Sequence, residues 1–404
     1  MAEPGFTAAG PVRSGNTAPR VALVHDWLTV DRGAEKVLLE MCRLFPAAEI
    51  HTLLWNRGSV DPVIEQRVAQ TSFLQKLPGA AKHYRNYLPL FPKAIESLKI
   101  RDADIVISSS HAVAKSVIVP EGARHVSYVH TPMRYLWGDT ASYFRFGRSR
   151  HLKKAALRLV SPYLRRFDQR TANRVEFFVA NSENVRDRIR RVYGVESTVI
   201  YPPVDTGYYV PDTIPDPTSS RGGYYLVVSG LEPHKRIDIA VRAFSRAKAS
   251  LVIAGGGTQE RELRSIATKN VSFVGRVSNE ELRRLYRGCR AVILPGIEDF
   301  GIVPVEAQAC GKPVICYSEG GARESVIAGE TGIYFWPQSP MALQEAIADA
   351  ERVRWDPEHI RRQSLRFSRE CFRDRMKQFL GSRLGLTWES SAARGDHRQE
   401  LRFA

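Results

Sequence analysis

The chain alternates short β-branched, apolar runs with stretches of helical periodicity, and this alternation constrains its fold more than any other feature. A strand–helix–strand order predicts parallel strands in one sheet with helices on both faces. Twelve candidate strands are too many for one ordinary sheet, so we expect an α/β fold of two doubly wound, Rossmann-like domains facing a cleft. The candidate strands are Val21–His25, Ile50–Trp55, Ile105–Ser109, Val126–His130, Phe177–Asn181, Thr198–Tyr201, Tyr225–Ser229, Leu251–Ala254, Val271–Val274, Ala291–Leu294, Val314–Tyr317 and Gly332–Phe335.

A polar, proline-rich break at Val204–Gly223 separates the two groups of strands and is typical of a linker. The first residues have no apolar stretch like that of a signal peptide, which predicts a disordered leader. The expected division is a leader at 1–19, a first domain at 20–204, a linker at 205–223, a second domain at 224–368 and a flexible tail at 386–404.

Ligands of such sheets bind at the carboxyl ends of the strands, so the loops after the strands are the candidate sites. The richest loop reads PGIEDFGIVPVE over 295–306. Pro304 suits the first turn of a helix, where its missing N–H is not needed. The amides of Gly301, Ile302 and Val303 would then point out of a helix N-terminus, which is a favourable site for a diphosphate.

Two carboxylates flank this predicted anion site, Glu298 ahead of the amides and Glu306 in the first turn of the helix. Carboxylates do not bind phosphate, but they accept hydrogen bonds from sugar hydroxyls. The alternative is an ordinary helix N-terminus with favourable acidic residues.

Other loops of the second half repeat the pattern. Lys235 follows Tyr225–Ser229 at the predicted start of a helix, where a cation is unfavourable unless it binds an anion. Glycine-rich loops follow three further strands at 255–257, 275–277 and 318–321, which suggests close approach of the backbone to an extended ligand.

In the first half, Gly33 precedes a predicted helix and could also admit a phosphate. His130 ends a strand and begins the segment HTPMRY, which places it where a catalytic or sugar-binding group would sit. Asp26 is the one carboxylate at a strand end in this half that could act as a nucleophile. A lone histidine is also a common structural residue.

At these residues the sequence resembles the retaining glycosyltransferases of family 4, which have the GT-B fold. The E-x7-E segment Glu298–Glu306 carries the resemblance most specifically, together with GRVSNEELRRLY at 275–286. The first-half phrases HDWL and YVHTP look most like the mannosyltransferase-type branch of polysaccharide assembly. The resemblance extends from about 20 to 384 and implies that a terminal helix near 369–385 crosses back to the first domain.

The resemblance also implies roles. Glu298 would contact the donor sugar, Glu306 the ribose, and His130 the sugar near the reacting carbon. Lys235 would neutralise the diphosphate beside Phe300 and the amides of the same loop, and Gly33 would leave room for it. The base would meet Gly275, Arg276 and Val277. The family commonly has Arg where this chain has Gly230, and Arg236 or Arg276 could compensate.

The implied reaction is transfer of a hexose with retention from a nucleoside diphosphate sugar, without a metal or other cofactor. The branch resemblance favours mannose and GDP-mannose. The alternatives are a GT-B nucleotide-sugar epimerase and a basic, non-catalytic nucleic-acid-binding protein. The sequence has no G-x-G-x-x-G after a strand, no Walker A loop, no HExxH and no recognition module for nucleic acid.

The basic excess lies in the first half. Residues 1–200 contain 30 basic and 18 acidic side chains, whereas 201–404 contain 29 and 25. The resemblance implies that the first domain binds the acceptor. We therefore expect the acceptor to be a glycan or a polyisoprenyl-linked sugar, and the basic residues to contact an anionic membrane peripherally and not nucleic acid. An ordinary solvated face is the alternative. The residues assigned to this side are Asp26, Arg134, Lys153, Lys154, Arg165 and Arg166.

The five cysteines form neither a CxxC pair nor a disulfide framework, which fits a reducing compartment. No apolar run approaches the length of roughly 18 residues needed to span a bilayer. We therefore expect a cytoplasmic protein that contacts the inner face of the cell membrane peripherally.

Overall fold

A computed structural model describes residues 18–138, 150–212, 223–389 and 400–403 of the chain. It contains two parallel sheets, which confirms the predicted pair of doubly wound domains. The seven strands of the first sheet lie in the order β3-β2-β1-β4-β5-β6-β7. They are β1 (Val21–His25), β2 (Glu49–Thr52), β3 (Val68–Thr71), β4 (Ile105–Ser110), β5 (Arg124–Val129), β6 (Phe177–Ala180) and β7 (Ser197–Val199).

The second sheet has six parallel strands in the order β10-β9-β8-β11-β12-β13. These strands are β8 (Tyr225–Val228), β9 (Leu251–Ala254), β10 (Val271–Gly275), β11 (Val292–Leu294), β12 (Val314–Tyr317) and β13 (Gly332–Phe335). Central strands such as β4 and β12 are buried along their whole length, as expected for a sheet covered on both faces.

The sequence pattern missed β3. Among the described strands it pairs with β2 alone, at the edge of the first sheet, and its four residues are half-buried or exposed. An edge strand needs no continuous apolar run, so the periodicity that reveals the buried strands is absent here.

The α-helices cover both sheets. In the first domain they are α1 (Gly33–Leu44), α2 (Pro62–Glu65), α3 (Ala80–His83), α4 (Phe91–Glu96), α5 (Arg134–Trp137), α6 (Arg150–Arg170) and α7 (Glu183–Tyr193). The remaining helices are α8 (Ile237–Phe244), α9 (Glu260–Ile266), α10 (Asn279–Gly288), α11 (Ile302–Ala309), α12 (Pro340–Arg352), α13 (Pro357–Leu365) and α14 (Arg369–Leu384).

Helix α14 crosses back to the first domain, as the family resemblance implied. Its Phe372, Met376 and Leu380 are buried in one core cluster with residues of β1 and α1. The carboxylate of the buried Glu40 on α1 lies 2.6 Å from Arg373 on α14 and 3.4 Å from Arg369. Apolar burial and this ionic contact together fix the end of the chain to the first sheet.

The prediction of a flexible tail over 386–404 is wrong for 386–389 and 400–403, which form two strands. Leu386–Glu389 (β14) pairs in antiparallel fashion with Glu400–Phe403 (β15), and Leu386 is buried beside α14. The physical reason is that Leu386 continues the apolar surface with which α14 covers the first domain. Residues 390–399 and 404, like the predicted leader at 1–17, lie outside the described residues.

The two connections between the domains run side by side. Val204 at the start of the predicted linker forms a bridge with Ser368, and its N–H donates to the carbonyl oxygen of Phe367 at 2.9 Å. Tyr209 is buried in the core of the second domain, so this part of the predicted linker packs against that domain. Residues 213–222 of the linker lie outside the described ranges.

A buried ion pair fixes α6 to the first sheet. Lys115, next to β4, lies 3.0 Å from a carboxylate oxygen of Asp168 on α6, and both side chains are essentially unexposed. The other oxygen of Asp168 accepts hydrogen bonds from Trp137 and Tyr193. Burial lowers the pKa of Lys115, and Asp168 opposes that shift.

We predict that Lys115→Met lowers the free energy of unfolding by about 3–5 kcal/mol, because it leaves the Asp168 carboxylate buried without its cation. Urea unfolding followed by circular dichroism measures this change. Arg352→Gln, which breaks the exposed Arg352–Asp349 pair, should cost at most about 1 kcal/mol. Equal effects of the two substitutions would contradict the prediction, and Lys115→Met/Asp168→Asn should recover part of the loss.

Candidate active site

Each sheet reverses its strand order once, and the two reversals define the cleft. The first lies between β1 and β4 and the second between β8 and β11. A doubly wound sheet binds ligands in the crevice at such a switch point. The loops that follow β8 and β11 contain Lys235 and Glu298, which the structure brings into contact.

The loop after β11 ends in the helix N-terminus that the sequence predicted. Gly301 has φ 92°, a conformation that favours glycine, and α11 begins at Ile302. The amides of Gly301, Ile302 and Val303 therefore lie at the start of α11, with Pro304 in its first turn.

Phe300 has a different role from the one expected at the donor. Its ring is 2% exposed and packs against Tyr201 and Phe367, near the two interdomain connections. An aromatic side chain gains more from this apolar cluster than from a polar cleft, so Phe300 anchors the loop and does not present its ring to a donor.

Lys235 and Glu298 form an ion pair in the cleft. The Nζ of Lys235 lies 2.6 and 2.5 Å from the two carboxylate oxygens of Glu298. The lysine stands at the end of a short 3₁₀ helix, Pro233–Lys235, and not at the start of α8 as expected. Arg236, with φ 53°, separates the two helices, so Lys235 is not opposed to the dipole of α8.

Glu306 is buried in the second turn of α11, one turn later than expected. One carboxylate oxygen accepts a hydrogen bond from the buried Tyr286 at 2.8 Å. The other accepts one at 2.9 Å from Lys36, which comes from α1 of the opposite domain. The carboxylate of Glu306 raises the pKa of Lys36. Sequence reasoning missed Lys36, whose only signal is its position one turn after Gly33.

Gly33 begins α1 and faces α11 across the cleft. A Cβ atom at this position would lie 2.7 Å from Cδ1 of Ile302. The two helix N-termini therefore approach each other closely, with a glycine on the side of the first domain.

The remaining residues predicted to bind the donor lie in the loops after β8 and β10. Gly275 has φ 74° and its carbonyl oxygen accepts from the N–H of Gly255, and Arg276 and Val277 follow it directly. A Cβ atom at Gly230 would meet nothing within 4 Å, so a side chain could begin at this position without a clash. The guanidinium of Arg236 is already bound to Asp238 and Gln338, which does not favour it as the substitute for that arginine.

His130 lies at the cleft end of β5 in a chain of hydrogen bonds. Its Nε2 is 2.8 Å from the hydroxyl of Ser109, which is also 3.0 Å from Nδ1 of His25. Nε2 of His25 lies 3.6 Å from the carboxylate of Glu35. A carboxylate favours a ring N–H facing it, so Ser109 would donate to His25 and accept from Nε2–H of His130. The other nitrogen of His130 is then a hydrogen-bond acceptor.

Asp26 does not fit the predicted position on the acceptor side. Its carboxylate is fully buried and accepts hydrogen bonds from four consecutive backbone amides, at 2.6–2.9 Å. These amides belong to His111, Ala112, Val113 and Ala114. Four donors occupy the lone pairs of a carboxylate, so Asp26 fixes the turn after β4 and is not an accessible nucleophile.

Arg134 was also predicted for the acceptor or membrane side, and the structure places it in the cleft. Its guanidinium contacts the carboxylate of Asp299 at 2.6 and 2.7 Å. Arg188 on α7 contacts the other oxygen of Asp299 at 2.7 Å. Burial alone would raise the pKa of Asp299, but the two guanidinium groups outweigh it and the pKa is lowered.

The basic helix α6 divides its residues between structure and surface. Arg165 donates to the carbonyl oxygen of Leu136 and stacks on Trp137, so its charge is partly used in packing. Arg166 is exposed and Lys154 is half-buried. The side chain of Lys153 lies outside the described residues.

Two family models together match most of the chain. The model of the glycosyltransferase family 4 matches residues 32–208, and that of the glycosyl transferases group 1 matches residues 216–365. The first match covers six of the seven strands of the first sheet, and the second covers all six strands of the second sheet. The chain belongs to the family 4 glycosyltransferases with the GT-B fold.

Curated relatives agree with this assignment. A glycosyltransferase of Methanocaldococcus jannaschii is 35% identical over 128 residues, which are 29% of this chain and 33% of that protein. The O-antigen chain mannosyltransferase RfbU of Salmonella typhimurium is 27% identical over 232 residues, 54% of this chain and 62% of that protein. The chain thus spans between a third and less than two thirds of the length of these relatives.

Solved structures with the same fold are more distant in sequence. Sucrose-phosphate synthase from Thermosynechococcus elongatus aligns with a TM-score of 0.68 at 18% identity, over 90% of this chain and 98% of that one. Anabaena HepE in complex with UDP-glucose aligns with a TM-score of 0.64 at 20% identity, over 90% and 99%. These alignments establish the fold.

We predict that His130 stays neutral in the folded protein below pH 6.5, because burial and the neighbouring His111 and His25 hold its pKa well below the usual value. An unfolded histidine takes up a proton near that pH, so folding stability falls as the pH decreases further. The loss is at most about 1.4 kcal/mol per pH unit for this residue. Urea unfolding at several pH values measures it.

His130→Asn should flatten this pH dependence, whereas His359→Asn, at a more exposed ion pair with Glu330, serves as the control. Identical slopes for the wild type and His130→Asn would show that His130 does not contribute.

Proposed function

We propose that the protein transfers a hexose with retention from a nucleoside diphosphate sugar to a glycan or lipid-linked acceptor in cell-surface polysaccharide or glycolipid synthesis. The contact between Lys235 and Glu298 beside the N-terminus of α11 is the observation that carries this proposal. The donor sugar is mannose and the donor GDP-mannose, for which the likeness to an O-antigen mannosyltransferase is the support.

The ion pair suits a donor that has both a diphosphate and a hydroxyl-rich sugar. A diphosphate at the start of α11 gives Lys235 a second anionic partner beside the helix amides. As Lys235 turns to the phosphate, the carboxylate of Glu298 becomes available to the sugar hydroxyls. Lys235 and the amides then stabilise the charge that develops on the leaving diphosphate, and this stabilisation requires no metal ion.

Retention proceeds in this proposal by displacement on one face of the sugar, with the leaving phosphate assisting the acceptor hydroxyl. The burial of Asp26 supports this route, because the one carboxylate predicted as a possible nucleophile in the first domain is enclosed by four amides. His130 accepts a hydrogen bond from a hydroxyl of the donor sugar through its Nδ1 atom.

We predict that Lys235→Ala and Glu298→Ala each lower kcat by roughly 10²–10³-fold, since each removes a charged contact made in the transition state. Radiolabelled transfer from the donor to an acceptor extract measures the loss. Lys269→Ala, at an exposed lysine of the same domain, should leave the rate unchanged. Turnover near that of the wild type in either site variant would remove that residue from the mechanism.

The donor is identified by thermal shift with GDP and UDP, followed by hydrolysis of the matching nucleoside diphosphate sugars. Stabilisation by GDP but not UDP is the result that the proposal expects. Interconversion of the free donor sugar without an acceptor would instead identify an epimerase.

We propose further that α6 contacts an anionic membrane. Leu159 and Tyr163 are 83% and 48% exposed on this helix, and the exposed Arg158 and Arg166 lie beside them. Exposed apolar side chains flanked by arginines suit the interface of an anionic bilayer. Among the described residues no helix is long and apolar enough to cross a membrane. With the exposed surface of α6 as its support, the proposal is a peripheral enzyme on the cytoplasmic face of the membrane.

We predict that Arg158→Gln/Arg166→Gln weakens binding to phosphatidylglycerol vesicles by roughly 30-fold, because each arginine contributes about 1 kcal/mol near such a surface. Sedimentation with vesicles at low salt measures the affinity. Leu159→Glu should weaken it as well, whereas Met341→Glu, at a comparably exposed position in the second domain, should not. Failure of the wild type to sediment would reject the membrane contact.

A further inference from the structure

Asp299 lies in the loop 295–301 that follows β11, here called the donor loop, and it binds this loop of the second domain to the first domain. Its carboxylate lies between Arg134 and Arg188, both from the first domain and both 19% exposed. Its backbone carbonyl oxygen accepts a hydrogen bond from the hydroxyl of Ser182 at 2.7 Å and one from the side chain of Asn184 at 3.3 Å. Asp299 therefore makes polar contacts with four side chains of the first domain.

A second residue of the second domain, Glu324, also binds the N-terminus of α7. Glu324 of the second domain accepts hydrogen bonds from the backbone amides of Glu183 and Asn184, at 2.7 and 3.0 Å. These amides are the free N–H groups of the first turn of α7, so an acidic residue from the other domain completes the cap that Ser182 begins. The N-terminus of α7 thus docks on the donor loop and on the adjacent segment.

The donor loop has little freedom on its other side. The N–H of Gly321 donates to the carbonyl oxygen of Glu298 at 2.9 Å. A Cβ atom at Gly321 would lie 2.0 Å from the carbonyl oxygen of Asp299, and one at Gly320 would lie 2.6 Å from that of Glu298. The segment 298–299 is therefore held between two glycines of its own domain and α7 of the other.

We infer that Arg188 and Asp299 are positioning residues, which set the place of Glu298 in the donor site by fixing the backbone of its neighbour to the first domain. The inference rests on the proposed role of Glu298 toward the donor sugar. Arg188 also donates to the hydroxyl of Thr131, next to His130, so the same guanidinium connects the predicted sugar contacts of both domains.

These contacts couple closure of the cleft to the positioning of Glu298 in the donor site. When the domains move apart, Asp299 loses both cations at once, and water replaces them around its carboxylate. These two ion pairs therefore hold the loop against the first domain only in the closed arrangement. A nucleoside diphosphate that binds the second domain alone needs no such closure.

The test compares Arg188→Gln, Asp299→Asn and the double variant with the wild type in two measurements. The first is transfer or donor hydrolysis, for which we expect kcat to fall 10- to 100-fold while the affinity for GDP or UDP changes less than about threefold. The double variant should lose little more than Asp299→Asn, because the asparagine already removes the charge with which Arg188 pairs. Arg188→Lys should restore part of kcat.

The second measurement is hydrogen–deuterium exchange of the peptide that contains Glu298–Gly301. We expect at least tenfold faster exchange in Arg188→Gln and Asp299→Asn, with unchanged exchange in β8 and β12. Arg190→Gln is the matched control, because Arg190 lies on the same helix in an exposed pair with Glu196. It should alter neither measurement.

The outcomes distinguish failure of the positioning role of Arg188 and Asp299 from failure of the proposed function. Wild-type kcat in Arg188→Gln, or unchanged exchange at Glu298–Gly301, would overturn the positioning role. Faster exchange in the variants of a protein that turns over no nucleoside diphosphate sugar would refute the proposed function and leave the link between the domains intact.

Discussion

The carboxylate of Asp299 between two arginines is the contact on which the geometry of the cleft depends. Each sheet by itself places its functional loops at its carboxyl edge, but neither sheet determines how far apart the two edges stand. The pairs of Asp299 with Arg134 and Arg188, and the pair of Lys36 and Glu306, are the ionic contacts that hold the two edges at the observed distance. All three cations come from the first domain and both carboxylates from the second.

Contacts within the protein therefore account for part of the basic excess in the first half of the chain. Some of its cations are matched by acidic residues of the second domain, and others hold structure, as Lys115 does with Asp168 and Arg165 with Leu136. On α6, Arg158 and Arg166 remain exposed. The membrane proposal depends on those residues and on Leu159, not on the net charge.

The sequence predicted the features that arise from local patterns. Buried parallel strands need continuous apolar runs, and the helix start at Ile302 needs Gly301 and Pro304, so both were visible in the chain. Contacts between distant residues left no such signal. Nothing near Asp26 indicates that four amides 85–88 residues later would enclose it, and nothing near Arg188 indicates a partner 111 residues away. Phe300 was assigned by its place in a motif, whereas apolar packing decides where its ring lies.

The paired connections at Val204 and Ser368 have a consequence for the construction of chimeras. Since the chain enters and leaves the second domain at one place, that domain could be exchanged as a single insert for one with a different donor preference. Such a graft requires two splice points, because α14 belongs to the core of the first domain although it follows the second in the chain. A fusion made only at the linker would bring a foreign terminal helix against α1, and Glu40 would lose Arg369 and Arg373 while keeping Arg43 of its own helix.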